Sequence, residues 1–214
     1  MLIEILNSKP IDYGTDKKFH VSGISNCLRK TFLQMKGLYK EEYSLETKRT
    51  FGLGNYVHDA IRSEIFEKAS AQDFNVVACE INIPDNKYIG GKIDLILSNI
   101  KTGELIVVDI KSAGKWTLNK VREGIIPDAY INQVQLYLHF MKLKRGFLLF
   151  VGKEKGEVLE HEIIYDKEKC EKLIAYIENF MINFVEKDIE PPKCDGGDWG
   201  CSVCGIAKGK LQKW

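Results

Sequence analysis

Apolar positions along this chain change their spacing several times, and each change marks an expected element. From Ser22 the run SGISNCLRKTFLQMKG spaces its apolar residues at helical intervals and stops near Gly37. A second helix is predicted over Thr47–Lys68, with Phe51, Val57, Ile61, Ile65 and Phe66 facing a core. Phe74–Pro84 alternates like a strand. Two further strands, Lys92–Leu97 and Glu104–Lys111, flank a Ser98–Gly103 turn rich in Asn, Thr and Gly. Residues 112–129 read as a long connection containing Trp116 and several cations. Ala129–Leu143 reads as a helix with Val134, Leu138 and Met141 on one stripe. Strands at Gly146–Val151 and Val158–Ile164 precede a long helix, Lys167–Lys187, which Pro191-Pro192 stops. A short strand at Leu2–Leu6 opens an otherwise irregular start. The order is helices, a three-strand meander, a helix, two strands and a helix. That predicts an α/β fold, a mixed central sheet flanked by helices. It is read as one domain over 1–214, with an α/β core at 22–190 and a cysteine-rich tail at 191–214.

Composition narrows the class. Charged residues make up 29% and apolar residues 44% of 214, which is globular rather than disordered. Formal charge is only +1, so no global basic field advertises nucleic acid, and any phosphate site has to be local. No run approaches a membrane span and no signal segment stands out, so a soluble, cytoplasmic protein with no membrane partner is expected. The six cysteines are uneven: Cys27, Cys79 and Cys170 stand alone, whereas Cys194, Cys201 and Cys204 crowd together. In a reducing compartment such crowding favours metal ligation over disulfides. Cys79 and Cys170 are expected to be buried as small apolar residues.

Candidate chemistry gathers on the hairpin GGKIDLILSNIKTGELIVVDIK. Strand side chains alternate, so Asp109 and Lys111 share one face while Ile110 takes the other. An acid and a lysine ending an apolar strand are costly to desolvate unless they bind something. With Asp94 on the partner strand, they can hold a divalent metal beside a phosphate. Gly90-Gly91 before Asp94 permits close backbone or ligand approach. His58 follows Gly52 and Gly54 on the second helix and can complete the site, although a lone helix histidine is more plainly a surface residue. The Ile110 carbonyl is a further candidate ligand, and Lys111 would neutralise charge developing on phosphate. Gln133 and Tyr137 lie four apart on one helix face, within reach of phosphate or Lys111. Glu80 is a weaker candidate for a second metal or for the lysine.

Taken in order, His58, GKID ending at Asp94, Asp109-Ile110-Lys111 and Gln133-Val-Gln-Leu-Tyr137 resemble the RecB-like branch of the PD-(D/E)XK nucleases. The resemblance spans roughly Ser22 to Cys204. It implies a restriction-endonuclease-like core and a metal-dependent DNA exonuclease. Mg2+ or Mn2+ would sit on His58, Asp94, Asp109 and Ile110, with Lys111 assisting attack and Gln133 and Tyr137 supporting DNA or the lysine. The branch's last acid is often glutamate, and here it is Asp109. Relatives of this kind act in phage or prokaryotic recombination, repair or replication. Two rival readings are a CRISPR-adaptation-type nuclease that trims DNA within a partner complex and a non-catalytic, metal-clamped DNA-binding module. A homo-oligomer or a recombination or integration partner fits either setting.

The late cysteines follow C-x6-C-x2-C, and the C-x2-C pair is a metal knuckle that needs a fourth ligand. Cys27 is the best candidate, because ISNCLRK resembles the Cys-x-Arg-Lys segment of iron–sulfur members of the same branch. That implies a [4Fe–4S] cluster on Cys27, Cys194, Cys201 and Cys204, clamping the N-terminal helix to the tail. Structural Zn2+ is the alternative, since all-thiolate sites suit both. Lys115, Trp116, Lys120 and Arg122 interleave cations with an aromatic, a composition that can track a DNA backbone and stack on a base. It favours a single strand at the active site. Arg29 and Lys30 could add a phosphate contact, and Lys208, Lys210, Lys213 and Trp214 would extend the path.

Overall fold

The computed structural model describes residues 17–195, Cys201 and residues 203–205; the expected strand at Leu2–Leu6 and the 208–214 cations lie outside them. A short strand, β1 (Phe19–His20), and a 3-10 turn (Val21–Gly23) lead to helix α1 (Leu28–Met35). The helix expected from Ser22 is therefore shorter. Cys27 sits at its N-cap with φ −58° and ψ 121°, outside the helical region, and the polar Ser25-Asn26 before it turns the chain.

Helix α2 (Leu45–Lys68) starts at Ser44, whose hydroxyl accepts the Thr47 N–H in an N-cap. Strands β2 (Phe74–Asn82), β3 (Ile89–Gly90), β4 (Lys92–Asn99) and β5 (Leu105–Ala113) follow. Next come helices α3 (Lys115–Arg122) and α4 (Asp128–Met141), strands β6 (Arg145–Gly152) and β7 (Val158–Ile164), and helix α5 (Lys167–Phe180), which runs on into a π-helical turn (Met181–Val185).

Five strands form one sheet in the order β2-β4-β5-β6-β7. Neighbours are antiparallel except β5 and β6, which run parallel because α3 and α4 carry the chain across between them. The mixed sheet flanked by helices matches the expectation. One face packs the larger core, where Ile93, Ile96, Val107, Leu148 and Phe150 meet Val134 and Leu138 of α4, Ile177 of α5 and Phe32 of α1. The opposite face carries Leu95, Val108, Ile110 and Val151 under Val57, Ile61 and Ile65 of α2.

Four expectations are corrected. Val57, Ile61 and Ile65 face the sheet, but Phe51 and Phe66 are 51% and 53% exposed. The inward stripe of α2 is one residue wide at each turn, and Phe51 and Phe66 lie beside it. The connection 112–129 contains α3, which buries Leu118 and Val121 and leaves its cations outward. Cys79 is exposed rather than buried, whereas Cys170 is buried as expected. The α-helical part of Lys167–Lys187 ends at Phe180. Among the described residues no helix is long and apolar enough to cross a membrane.

Candidate active site and cysteine centre

Pairing between β4 and β5 ends at Leu95–Val108, so Asp94 and Asp109 are the next residues beyond the ladder. There the Asp94 side chain takes over from the backbone: its Oδ2 accepts the Ile110 N–H at 2.7 Å. β5 stays paired with β6 along its whole length, which holds Asp109 and Lys111 rigidly. Ile110 packs into the α2-side cluster, so Asp109 and Lys111 point the other way, as strand alternation requires.

Asp109 is 2% exposed, and Lys111 Nζ lies 2.8 Å from its Oδ2. Apart from that ion pair, Oδ2 is buried without a partner. Gln133 of α4 ties the pair together. Its Nε2 donates to Asp109 Oδ1 at 3.2 Å and to the Tyr137 hydroxyl at 2.8 Å, and its Oε1 accepts from Lys111 Nζ at 3.0 Å. The Tyr137 hydroxyl in turn donates to the Lys92 carbonyl at 2.7 Å, locking α4 to the start of β4. His58 of α2 brings Nδ1 to 3.5 Å from Asp94 Oδ2.

The two acids have opposite electrostatics. Burial pushes the Asp109 carboxyl up to about 6; Lys111 opposes that shift and the Asp94 charge adds to it. Burial also works against ionised Asp94, but the His58 contact and the Ile110 N–H outweigh it and hold that carboxyl below its usual range. A buried carboxylate beside a second ionised acid is a donor set that suits a hard divalent cation. An imidazole one contact away extends it to Mn2+.

His58, Asp94, Asp109, Lys111, Gln133 and Tyr137 are thus one connected network. Two further members, Tyr130 and the Lys92 carbonyl, were not read from the sequence, whereas Gly54 beside His58 was. Tyr130, whose ring centroid lies 5.0 Å from Lys111 Nζ, occupies the same α4 face as Gln133 and Tyr137 at i, i+3 and i+7, and that spacing was the available signal. Gly54 lets α2 approach the end of β5, because a Cβ there would meet Ser112 Oγ at 3.1 Å. The Lys92 carbonyl had no sequence signal. Glu80 is engaged elsewhere, in ion pairs with Arg62 and Lys92 rather than with Lys111.

The cysteine centre is assembled more tightly. Sulfur atoms of Cys27, Cys194, Cys201 and Cys204 all lie within 4.8 Å of one another. Cys27 and Cys204 are 3.7 Å apart, and the Cys194 N–H donates to Cys204 Sγ at 3.4 Å. Burial opposes ionisation of Cys201, but the Cys204 backbone N–H and the neighbouring thiols outweigh it and hold that thiol below its usual range. Burial pushes the Cys27 thiol up, so the thiols differ in ionisation, but their convergence fits a thiolate-bound metal.

The expected DNA-contact residues are dispersed. Lys115, Trp116, Lys120 and Arg122 all lie on α3. Trp116 is 61% exposed with Lys120 Nζ 4.1 Å from its ring centroid, while Arg122 pairs with Glu157. Arg29 is held by Glu190 at 2.6 Å, and Lys30 pairs with Glu41.

No family model matches the chain, and no curated protein does. Solved structures do. An alkaline exonuclease from Laribacter hongkongensis superposes with TM-score 0.61 at 13% identity, covering 81% of this chain and 90% of that one. The same exonuclease in complex with dAMP gives TM-score 0.62 at 15% identity, with the same coverage. A phage-related exonuclease from Haemophilus somnus 129PT gives TM-score 0.55 at 10% identity, covering 86% of this chain and 99% of that one. The chain shares the fold of these exonucleases.

Proposed function

We propose that this protein is a divalent-metal-dependent deoxyribonuclease of exonuclease type, acting on phosphodiester bonds at the end of β5. The observation that carries the reading is the buried Asp109 carboxylate, paired with Lys111 and set beside Asp94, at the point where two strands part. A structural ion pair needs no such exposure of a carboxylate to a second acid. The fold shared with known exonucleases supports it.

Asp94, Asp109, His58 and the Ile110 carbonyl would hold Mg2+ or Mn2+, which supplies Lewis-acid polarisation of phosphate and a more acidic water. Lys111 brings a cation to the charge that builds on phosphate oxygens, in a site shielded from water. Gln133 accepts from Lys111 Nζ and donates to Asp109, so it fixes the ammonium relative to the acid before substrate arrives. Tyr137 holds Gln133 in that orientation by accepting its amide N–H. Tyr130 lies beneath the lysine and limits its excursions.

The cysteine centre is assigned a structural role, a clamp between α1 and the C-terminal segment. The family resemblance implies a [4Fe–4S] cluster there. A sulfur separation of 3.7 Å suits a single tetrahedral Zn2+, for which about 3.8 Å follows from a zinc–sulfur bond of about 2.3 Å. Iron, sulfide and zinc analysis of anaerobically purified protein separates the two fillings. Stoichiometric iron and sulfide identify the cluster, and one zinc per chain identifies the single ion.

Digestion of matched linear and circular DNA, single- and double-stranded, with Mn2+ or Mg2+ tests the activity. Wild type should consume linear DNA alone, and Asp109→Ala should fall to background. Cleavage of circles would make it an endonuclease. Full activity in Asp109→Ala would remove the assignment. Activity appearing only with an added partner would favour the trimming role in a complex.

A further inference from the structure

One flank of α2 carries a second set of residues that the catalytic network does not use. His58 faces Asp94, and the residues on its side of the helix one to three turns toward the N-terminus are Asn55, Phe51 and Lys48. Phe51 is 51% exposed, an uncommon position for a phenylalanine with a whole sheet face available to bury it. It is not loose. Tyr43 packs edge-on against it, with ring centroids 5.0 Å apart and planes at 85°. The Tyr43 hydroxyl donates to Glu41 at 2.7 Å, and Glu41 is held by Lys30 of α1. Two rings are therefore fixed in the open, anchored through an ion pair to the helix that Cys27 caps. Gly54, one turn from Phe51, lets this stretch of α2 run within contact of Ser112, next to Lys111. The rings thus lie on the flank of α2 that carries His58, two turns or about 10 Å from the histidine that reaches Asp94.

We propose that the Tyr43–Phe51 pair is a stacking platform for unpaired bases of the nucleic-acid strand whose backbone lies at Asp94, Asp109 and Lys111; this rests on the nuclease reading above. Three features select nucleic acid as the occupant. The platform shares a helix flank with His58 of the candidate site, and Lys48, exposed on the same flank, supplies a cation for the adjoining backbone. The rings are held from behind, so a base gains stacking contact without ordering them first. Successive bases can stack on aromatic rings only along an unpaired strand, whereas a blunt duplex offers just the face of its last pair. The platform therefore selects single strands, overhangs or frayed ends over blunt paired DNA.

The test compares wild type, Phe51→Ala and Phe51→Trp in equilibrium binding with Ca2+ replacing the activating ion. The probes are a single-stranded oligonucleotide containing 2-aminopurine and a blunt duplex of the same sequence. Phe51→Ala should weaken single-strand affinity about tenfold or more and abolish quenching of the 2-aminopurine fluorescence, with blunt-duplex affinity changed less than about twofold. Phe51→Trp should retain both signals. Unaltered single-strand affinity in Phe51→Ala would overturn the proposal, and so would an equal loss on both probes. A change confined to self-association in sedimentation would overturn it too and make this flank a protein interface. Wild type that cleaves DNA while Phe51→Ala binds normally leaves the nuclease reading standing without the platform. Phe51-dependent binding with no cleavage by wild type in Mn2+ leaves the platform without the nuclease.

Discussion

Asp109 shows at the scale of one residue how function and stability pull apart. Its carboxyl titrates near 6 in the folded chain, against about 3.9 for a free aspartate. The folded state therefore binds this proton more tightly than the unfolded state does. Asp109's contribution to stability is full below about pH 4, falls as pH rises through about 6, and is flat above. The difference corresponds to a loss on the order of 3 kcal/mol at neutral pH. Asp109→Asn removes the titration and keeps the shape. In chelator-treated protein the variant should be the more stable by up to that amount at pH 8, with the gap closing toward pH 4. Urea unfolding across pH measures it, and a gap independent of pH would show that the buried charge is not its origin. Adding Mn2+ at pH 8 should raise wild-type stability and leave Asp109→Asn unchanged. The acid pair and lysine were legible in the sequence because alternation on an apolar strand left no other place for them. The roles of Tyr130 and of the Lys92 carbonyl were not. The first depends on which face α4 turns to the sheet, and the second on a backbone atom.

Among the elements, the junction of β3, β4 and α4 is the tightest. Gly91 separates β3 from β4, and a Cβ there would stand 2.7 Å from Val21 Cγ2 and 3.1 Å from Tyr137 Cε1. Both neighbours are buried, so neither can swing away cheaply. Gly91→Ala should cost about 1–3 kcal/mol and displace Tyr137 from the Lys92 carbonyl, lowering turnover along with stability. Val21→Ala in the same chain should restore part of both, because it removes the nearer clash. Denaturation midpoints of the two single variants and the double variant give the coupling directly, and strict additivity would count against this contact as the cause.

The same scale explains what sequence periodicity missed. α3 buries only Leu118 and Val121, three apart, so an eight-residue helix was hidden among cations that suggested a loop. In α2 the expected inward direction held for Val57, Ile61 and Ile65 and failed for Phe51 and Phe66. Val57, Ile61 and Ile65 recur every four residues and face the sheet, whereas Phe51 and Phe66 fall off that stripe. Hydrophobicity alone does not distinguish an aromatic that packs from one that is presented.

Across the whole molecule, α1 lies far from the middle of the sheet in sequence and is fastened from the opposite end of the chain. Arg29–Glu190 and Lys36–Asp188, both 2.6 Å, join it to the segment after α5, and Phe32 inserts into the larger core. Exposed or half-exposed ion pairs contribute little by themselves. Phe32 is the helix's buried side chain, with Leu28, Leu33 and Met35 packed partly buried against the same core, and an eight-residue helix is marginal without such tertiary support. The proposed metal on Cys27, Cys194, Cys201 and Cys204 would add a tie between the two ends that neither the ion pairs nor the apolar contacts supply. On the proposed clamp, Cys201→Ser or chelator treatment should release α1 and the tail while leaving the five-stranded sheet folded. Hydrogen exchange locates the effect: protection should fall over Leu28–Met35 and over the segment around Asp188–Glu190, and persist in β4, β5 and β6. Loss of protection throughout the sheet would mean that the centre supports the core itself rather than clamping one helix to it. Because Tyr43 and Phe51 are braced through Glu41 and Lys30 to α1, the same variant should also loosen the exposed rings. Single-strand affinity should then fall alongside the α1 protection, with Asp94, Asp109 and Lys111 still in place. Unchanged affinity with α1 released would show that α2 alone holds the rings.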